Sequence, residues 1–414
     1  MPDTSPAPAG FQSTLRPGYP DLLDLPWSLP LERWTGVCPR IEEVPRGDSR
    51  HPVVFVNYDE TLYALKELPE ALAAREYQAL RDMEERRLPV VTPVGHVLVR
   101  RADGAASIVV TRFLEHSLPY HALFMRSGLS RYRDHLLDAL AGLLVQLHLA
   151  GVFWGDCSLN NTLFRRDAGR LNAYLVDAET SEVRPSLSNQ MREFDLDLTR
   201  ENVCGGLEDL VAAGALPESY PTVETASAIR DRYERLWNEI TREELVGAGE
   251  RYRIQERIRA LNQLGFSVDS VELLGADGGQ HLRLKAVVTD RSFHRDLLHS
   301  LTGLEAEEMQ ARQMLNEINE RRAALSSASN RSTSLSGAAY EWLNQTYLPT
   351  LRRLRPLADA EADPCELYCQ VLEHKWYLSE QAKRDVGHAT AVEDFIKRFG
   401  GAGDSGRPRG MRSG

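Results

Sequence analysis

The sequence predicts an α+β chain: a β-rich first third, then a mostly helical remainder that carries one late β-hairpin. Three observations predict it. The apolar runs Val53–Val56 and Thr61–Leu65 flank a polar turn, Asn57–Glu60. A leucine-rich stretch from about Arg131 to Ala150 places Leu136, Leu137, Leu140, Leu143, Leu144 and Leu147 at helical spacing. Far downstream, Asp277-Gly278-Gly279 separates the runs Val268–Leu274 and His281–Val288, a hairpin signal.

Composition bounds the class. The 414 residues suffice for two domains, or for one two-lobed domain with an appendage, and a hydrophobic fraction of 42% buries a sizeable core. The formal charge of −11 argues against nonspecific phosphate-backbone binding, so no nucleic-acid partner is expected, although a local basic groove stays compatible with it. Cys38, Cys157, Cys204, Cys365 and Cys369 form neither a CxxC pair nor a secreted disulfide pattern, so a reducing cytoplasm is expected. Cys365 and Cys369 with His374 could be read as a metal cluster; their apolar helical setting favours packing. No run of eighteen apolar residues predicts a membrane span, and no signal peptide is read at the start.

Taken in order, residues 1–35 form a proline-rich arm, disordered at first and extended later, because Pro2, Pro6, Pro8, Pro17, Pro20, Pro26 and Pro30 block helix and ladder alike. Leu22, Leu23, Leu25, Trp27 and Leu29 are too apolar for water, so the arm packs on the body; a peptide-recognition role is the lesser reading. Lys66 closes the second strand. Pro69 then suits the start of a helix that runs to about Arg87, with Leu72, Ala79, Leu80 and Met83 on its apolar face. Glu76 lies within that stripe. Either it pairs with Lys66, because a buried lone carboxylate is costly, or it sits at the stripe's edge in water.

Strands near His96–Arg100 and Ser107–Thr111 precede the leucine-rich helix, in which His148 reads as a packing residue. After Glu179 a helix is expected at Thr199–Ala213, with Asp195 and Asp197 favoured just ahead of it by its dipole. Further helices are expected at Val223–Leu245, Tyr252–Leu264, Phe293–Leu301, Glu305–Leu325, Ala338–Leu354, Pro364–Arg384 and Thr390–Phe399, with Ser326–Ser336 a flexible link. On the penultimate helix His374, Lys375, Trp376 and Tyr377 read as core plus rim, or as a contact surface. Gly400–Gly414 is expected to be a disordered tail.

The stretch Leu147–Glu179 organises the rest. An apolar helix ends at Gly151, and a polar loop, Gly155-Asp156-Cys157-Ser158-Leu159-Asn160-Asn161, follows. Leu163 and Phe164 lead to the turn Asp167-Ala168-Gly169-Arg170, and the run Tyr174-Leu175-Val176 delivers Asp177 and then Glu179. One carboxylate can orient a nucleophile, while an amide and a second carboxylate can hold a divalent metal, which is minimal equipment for phosphoryl transfer.

This pattern, Leu147-His148-x-x-Gly151 followed by Asp156, Asn161 and Asp177, resembles the catalytic and metal-binding loops of the protein-kinase superfamily. The fit is to its small bacterial and atypical branches, among them the lipopolysaccharide-kinase-like group. The segments RYRIQERIRALNQLGF, LTGLEAEEMQARQMLNEI and LEHKWYLSEQAKRDVG resemble a bacterial domain of unknown function that follows such a kinase-like domain.

The resemblance implies a two-lobed kinase-like domain at residues 36–246, with the small lobe ending near 115 and a hinge near Val109–Glu115. It implies a C-terminal α+β domain of unknown function at 247–399. It implies ATP and Mg²⁺ as cofactors. Asp156 would orient or deprotonate the acceptor, Lys66 held by Glu76 would bind nucleotide phosphates, and Asn161 and Asp177, with Glu179 assisting, would bind metal. Two departures stand out. No GxGxxG loop precedes Lys66; the turn Pro45–His51, with Gly47, Arg46 and Arg50, is the available substitute. Trp154 stands where kinases usually place a histidine. The alternative function is a pseudokinase or nucleotide-sensing module working through its C-terminal helices. The acceptor (sugar, small molecule or protein hydroxyl) and the oligomeric state are not legible here.

Overall fold

A computed structural model of the chain describes residues 10–399 apart from 45–49, 70, 102–103, 126–128, 130–131, 134, 248–249, 251, 277–280, 289, 330 and 358–361. The start before residue 10, most of the Pro45–His51 turn, the Asp277–Gly279 turn and the Gly400–Gly414 tail therefore lie outside the described residues. The chain divides into two compact units: residues 1–121, 143–164 and 173–230, and residues 122–142, 165–172 and 231–414.

In the first unit an antiparallel six-stranded sheet is built from β1 (Gly10–Leu15), β2 (Ile41–Glu42), β3 (Val53–Tyr58), β4 (Thr61–Leu68), β5 (Pro93–Arg101) and β6 (Gly104–Arg112). Its order is β1-β5-β6-β4-β3-β2. The predicted β3–β4 hairpin is present, longer at both ends. Its turn shrinks to Asp59-Glu60, both at positive φ (52° and 65°), the geometry that matches strand twist. Period-two alternation sends Tyr63 and Leu65 of β4 to one face and Lys66 and Leu68 toward the other. The first face packs on Leu22, Leu25, Trp27, Leu31 and Trp34 of the N-terminal arm. Both indoles are satisfied by arm carbonyls, Trp27 by Leu22 at 2.9 Å and Trp34 by Leu29 at 3.0 Å. The opposite face, with Leu68 and Val109, is covered by Ala73 and Tyr77 of helix α1 (Leu72–Glu85).

The arm corrects the expectation of an unpaired, proline-blocked segment. Gly10–Leu15 lies between the prolines and pairs with β5 as an edge strand, where its outer amides can face water. After β7 (Ser117–Pro119) and the short helix α2 (Tyr120–Met125), the leucine-rich helix α3 (Leu136–Leu149) begins later than expected. Strands β8 (Val152–Phe153), β9 (Thr162–Asp167), β10 (Arg170–Leu175) and β11 (Glu182–Val183) follow. β9 and β10 form a hairpin over Ala168-Gly169, both at positive φ, and β11 pairs with β8. Helix α4 (Asn189–Ala212) starts ten residues before the expected Thr199, because Ser188 caps it by accepting from the Met191 amide. Helix α5 (Thr222–Thr241) stops short of Leu245, since Glu244–Gly247 is instead strand β12.

In the second unit β12 joins the predicted hairpin strands β13 (Val268–Ala276) and β14 (His281–Val288) in a sheet ordered β12-β14-β13. Helix α6 (Tyr252–Gln263) precedes that hairpin. The helices α7 (Phe293–Thr302), α8 (Glu308–Ser329), α9 (Leu335–Trp342), α10 (Leu348–Leu354), α11 (Pro364–Ala382) and α12 (His388–Phe399) complete it. The serine-rich link is not a free linker: α8 runs into it, Ser326 accepts from the Thr333 amide, and Ser334 caps α9. The single helix expected at Ala338–Leu354 is interrupted by a π turn, Leu343–Tyr347, just ahead of Pro349, whose missing N–H removes a helical bond. The core gathers Met314, Ile318, Trp342, Tyr347, Cys365, Tyr368 and Cys369, so both cysteines pack. His374 is buried and 2.8 Å from Asp394, whereas Trp376 is 58% exposed. All five cysteines are free. Among the described residues no helix is long and apolar enough to cross a membrane.

This unit also holds the tip of the β9–β10 hairpin through buried polar groups. Asp167 Oδ1 accepts the Met309 and Gln310 amides at 2.8 and 2.9 Å and so caps α8 from a distant part of the chain. Glu366 accepts from the Tyr132 hydroxyl and the Ala168 amide, both at 2.8 Å, and Glu307 from Arg165 and Asn172 at 3.0 and 2.7 Å. Burial, and then the Glu307 charge, push the Asp167 carboxyl up to about 8. Between the unfolded value of about 4 and that folded value, the folded state binds the extra proton, so this group's contribution falls as pH rises through that window. Asp167→Asn keeps an oxygen for both amides and removes the titration. Its urea midpoint should therefore decline less than the wild type's between pH 5 and 8; equal declines would show that Asp167 does not titrate there.

Candidate active site

Strand β4 and helix α1 bring the first two predicted residues together. Lys66 Nζ lies 3.3 Å from Glu76 Oε2, and Glu76 is only 1% exposed. Of the two readings of Glu76, the paired one is what the fold contains. The second partner of Lys66 comes from the segment after β10: Asp177 Oδ2 is 2.6 Å away, and Glu179 Oε2 is 3.7 Å away. Glu76 also accepts from the Ala178 amide at 3.4 Å. Burial, reinforced by Asp177, pushes the Glu76 carboxyl up to about 7. Burial pulls the Lys66 ammonium down, but the Glu76 and Asp177 carboxylates more than offset it, so its pKa rises. Lys66 thus stays a cation.

The loop between β8 and β9 presents Asp156. Its Oδ2 accepts from Asn161 Nδ2 at 2.9 Å and its Oδ1 from Asn202 Nδ2 at 3.0 Å. Asn161 Nδ2 also reaches the Asp156 carbonyl at 3.1 Å. With its amino group turned inward, the Asn161 carbonyl oxygen is the end left to meet a cation. Burial raises the Asp156 carboxyl above the ordinary aspartate range, and the Asp177 charge adds to this; Asn161, Arg50 and Asn202 oppose it.

Gly155 makes the loop possible. It holds φ at 78°, and a Cβ there would approach Phe153 Cε1 to 2.9 Å and the Thr180 carbonyl to 3.3 Å. Trp154, the departure noted in the sequence, is fully buried and acts as framework: its indole donates to the Asp177 carbonyl at 3.1 Å, tying the Asp156 loop to the Asp177 segment.

Residues that sequence reasoning missed complete the frame. Asp195, read as a dipole-favoured acid ahead of a helix, lies inside α4 and is fully buried. Its carboxylate accepts the Trp154 amide at 2.8 Å and the Gly155 amide at 3.0 Å, and lies 3.1 Å from His148 Nε2. His148 is therefore a packing histidine with a defined partner. The available signal was the stripe Asp195, Thr199, Asn202, Gly206 at helical spacing, which needs the correct helix start to be seen. Of the Pro45–His51 turn, Arg50 and His51 are described, and His51 Nε2 lies 3.3 Å from Glu179 Oε2.

Four of the six predicted residues thus meet as Lys66–Glu76–Asp177–Glu179, and the other two, Asn161 and Asp156, pair with each other. Among the described residues no three His, Cys, Asp or Glu side chains converge as a preformed metal cage. The donors at hand are one amide oxygen and two carboxylates. That all-oxygen set suits Mg²⁺, which is usually held by one or two carboxylates together with substrate phosphates.

Residues 58–205 match the model of the lipopolysaccharide kinase (Kdo/WaaP) family, and residues 235–399 match a domain of unknown function, DUF4032. The kinase-like segment and the C-terminal domain that the sequence resembles are both shown by these matches. Among solved structures, a chain described as WaaP in complex with acyl carrier protein is similar at 19% identity and a TM-score of 0.32, over 55% of this chain and 99% of that one. No curated protein matches.

Proposed function

We propose that this chain, with its lipopolysaccharide kinase family segment at residues 58–205 and its DUF4032 segment at residues 235–399, transfers the terminal phosphoryl group of ATP to a hydroxyl acceptor. The observation that carries the reading is the meeting of Lys66 and Asp177, 111 positions apart in sequence and 2.6 Å apart in space, with buried Glu76 behind them. In this reading Lys66 binds nucleotide phosphate oxygens and Glu76 holds Lys66 in place. Asp156 orients the acceptor hydroxyl and takes its proton as the oxygen bonds to phosphorus and the bond to the departing ADP oxygen breaks. Asn161 and Asp177 would hold Mg²⁺, with Glu179 beside them; the ion, when bound, neutralises charge on the transferring group. The acceptor class stays open between sugar, small-molecule and protein hydroxyls. A cytoplasmic setting, where ATP is at hand, fits this reading.

Thermal melting with ATP, with and without Mg²⁺, on wild type and Asp177→Asn tests it. A ligand at a hundred times its dissociation constant adds about 2.7 kcal/mol, so the wild type should show a Mg²⁺-dependent rise in Tm that the variant lacks. No rise in either protein would replace this reading with a regulatory module that works through its C-terminal helices.

A further inference from the structure

Helix α4 turns one stripe along the whole Asp156 loop. Asp195, Thr199, Asn202 and Gly206 recur at i, i+4, i+7 and i+11, one face of an α-helix. Asp195 takes the Trp154 and Gly155 amides at one end. Gly206 lies against Leu159 at the other, where a Cβ would come within 3.3 Å of Leu159 Cδ1. Between them Asn202 Nδ2 donates to Asp156 Oδ1 at 3.0 Å and to the Cys157 carbonyl at 3.2 Å.

The two carboxylate oxygens of Asp156 are thus shared between two amides of different origin. Asn161 is part of the same loop. Asn202 belongs to a long helix whose neighbouring turns are buried. A carboxylate held by one donor can still rotate about its broad, two-fold terminal torsion. Held through both oxygens, its plane is fixed. We infer that Asn202 is a positioning residue: it sets the plane of the Asp156 carboxylate, so that its remaining lone pairs point where an acceptor hydroxyl arrives. The inference rests on the phosphotransferase reading, since without turnover there is nothing to aim. Asp177 and Arg50 are the charged groups that act on Asp156, and neither supplies a second donor from a helix.

The test uses the full chain and Mg·ATP, with hydrolysis to ADP and phosphate as the readout and water as the acceptor, under single-turnover conditions. Asn202→Ala should lower the rate about 10–100-fold, the scale that misplacing a reacting group by about an ångström produces. The ATP concentration at half-maximal rate should stay within about two-fold. In an Asp156→Ala background the same change should alter the rate by less than about two-fold, because Asn202 acts through a group already removed. Asn202→Ser, which keeps a smaller donor, should fall between wild type and Ala, and it replaces Ala in the cycle if Ala melts below the assay temperature. An Asn202→Ala rate equal to wild type, or losses that multiply in the double variant, would overturn the inference and leave the phosphotransferase reading standing. A wild type that neither binds nor hydrolyses Mg·ATP would overturn both, and melting with Mg·ATP separates that case from the others.

Discussion

Asp156→Ala is expected to cut turnover of Mg·ATP by about 10²–10⁴-fold, the usual worth of a positioned general base, and to leave nucleotide binding within a few-fold of wild type. The reason is geometric. Lys66, which the proposed function gives to the nucleotide phosphates, is held by Glu76 and Asp177, and none of the three contacts the Asp156 side chain through a hydrogen bond among the described residues. Removing Asp156 frees the amides of Asn161 and Asn202 at a half-buried site, where water can reach them. Stability should therefore change little while the rate collapses. Single-turnover hydrolysis beside nucleotide-dependent melting reads the two separately. A variant that turns over as fast as wild type would remove Asp156 from the chemistry.

The second large effect is expected at Asp195 and is one of stability. Asp195→Ala removes the acceptor of the buried Trp154 amide and of the part-buried Gly155 amide, and the carboxylate 3.1 Å from the His148 ring. Each unsatisfied buried donor costs about 1–3 kcal/mol, and Asp195 serves more than one. A loss of about 2–5 kcal/mol is therefore expected, or a fall in Tm on the order of 10 °C. Asp195→Asn retains one accepting oxygen but turns an NH₂ toward the second amide, so it should fall between wild type and Ala. A shift under about 1 °C in Asp195→Ala would mean that the loop does not depend on this anchor.

These two residues mark what could and could not be read from the chain alone. Asp156, Asn161 and Asp177 are legible because loop, strand and turn follow one another within a short stretch. Lys66 and Glu76 are legible because a carboxylate inside an apolar helical stripe demands a partner, and a strand lysine stands close by in sequence. Asp195 was legible as an acid but not as an anchor, because its role depends on where α4 begins. That start is signalled only by Ser188, in a polar stretch with weak periodicity. Asn202 needed the same correction. Strand β12 and the edge strand β1 are short, and their pairing is decided by neighbours far away in sequence, Leu282–Leu284 and Val97–Val99 among them. The interruption near Pro349 was legible in principle, since a proline inside an apolar helical pattern marks a break.

The hairpin tip that Asp167 closes has a consequence in time. Asp167 and the Met309 amide it receives are 142 residues apart. A ribosome adding about 5–20 residues per second needs roughly seven to thirty seconds to bridge that interval. For most of it the strands on either side of Ala168-Gly169 have been made while the helix start that their aspartate caps has not. A nascent chain stalled near residue 230 would therefore expose Asp167, Arg165 and Tyr132 with none of their later partners, and is the species on which a chaperone would be expected to act.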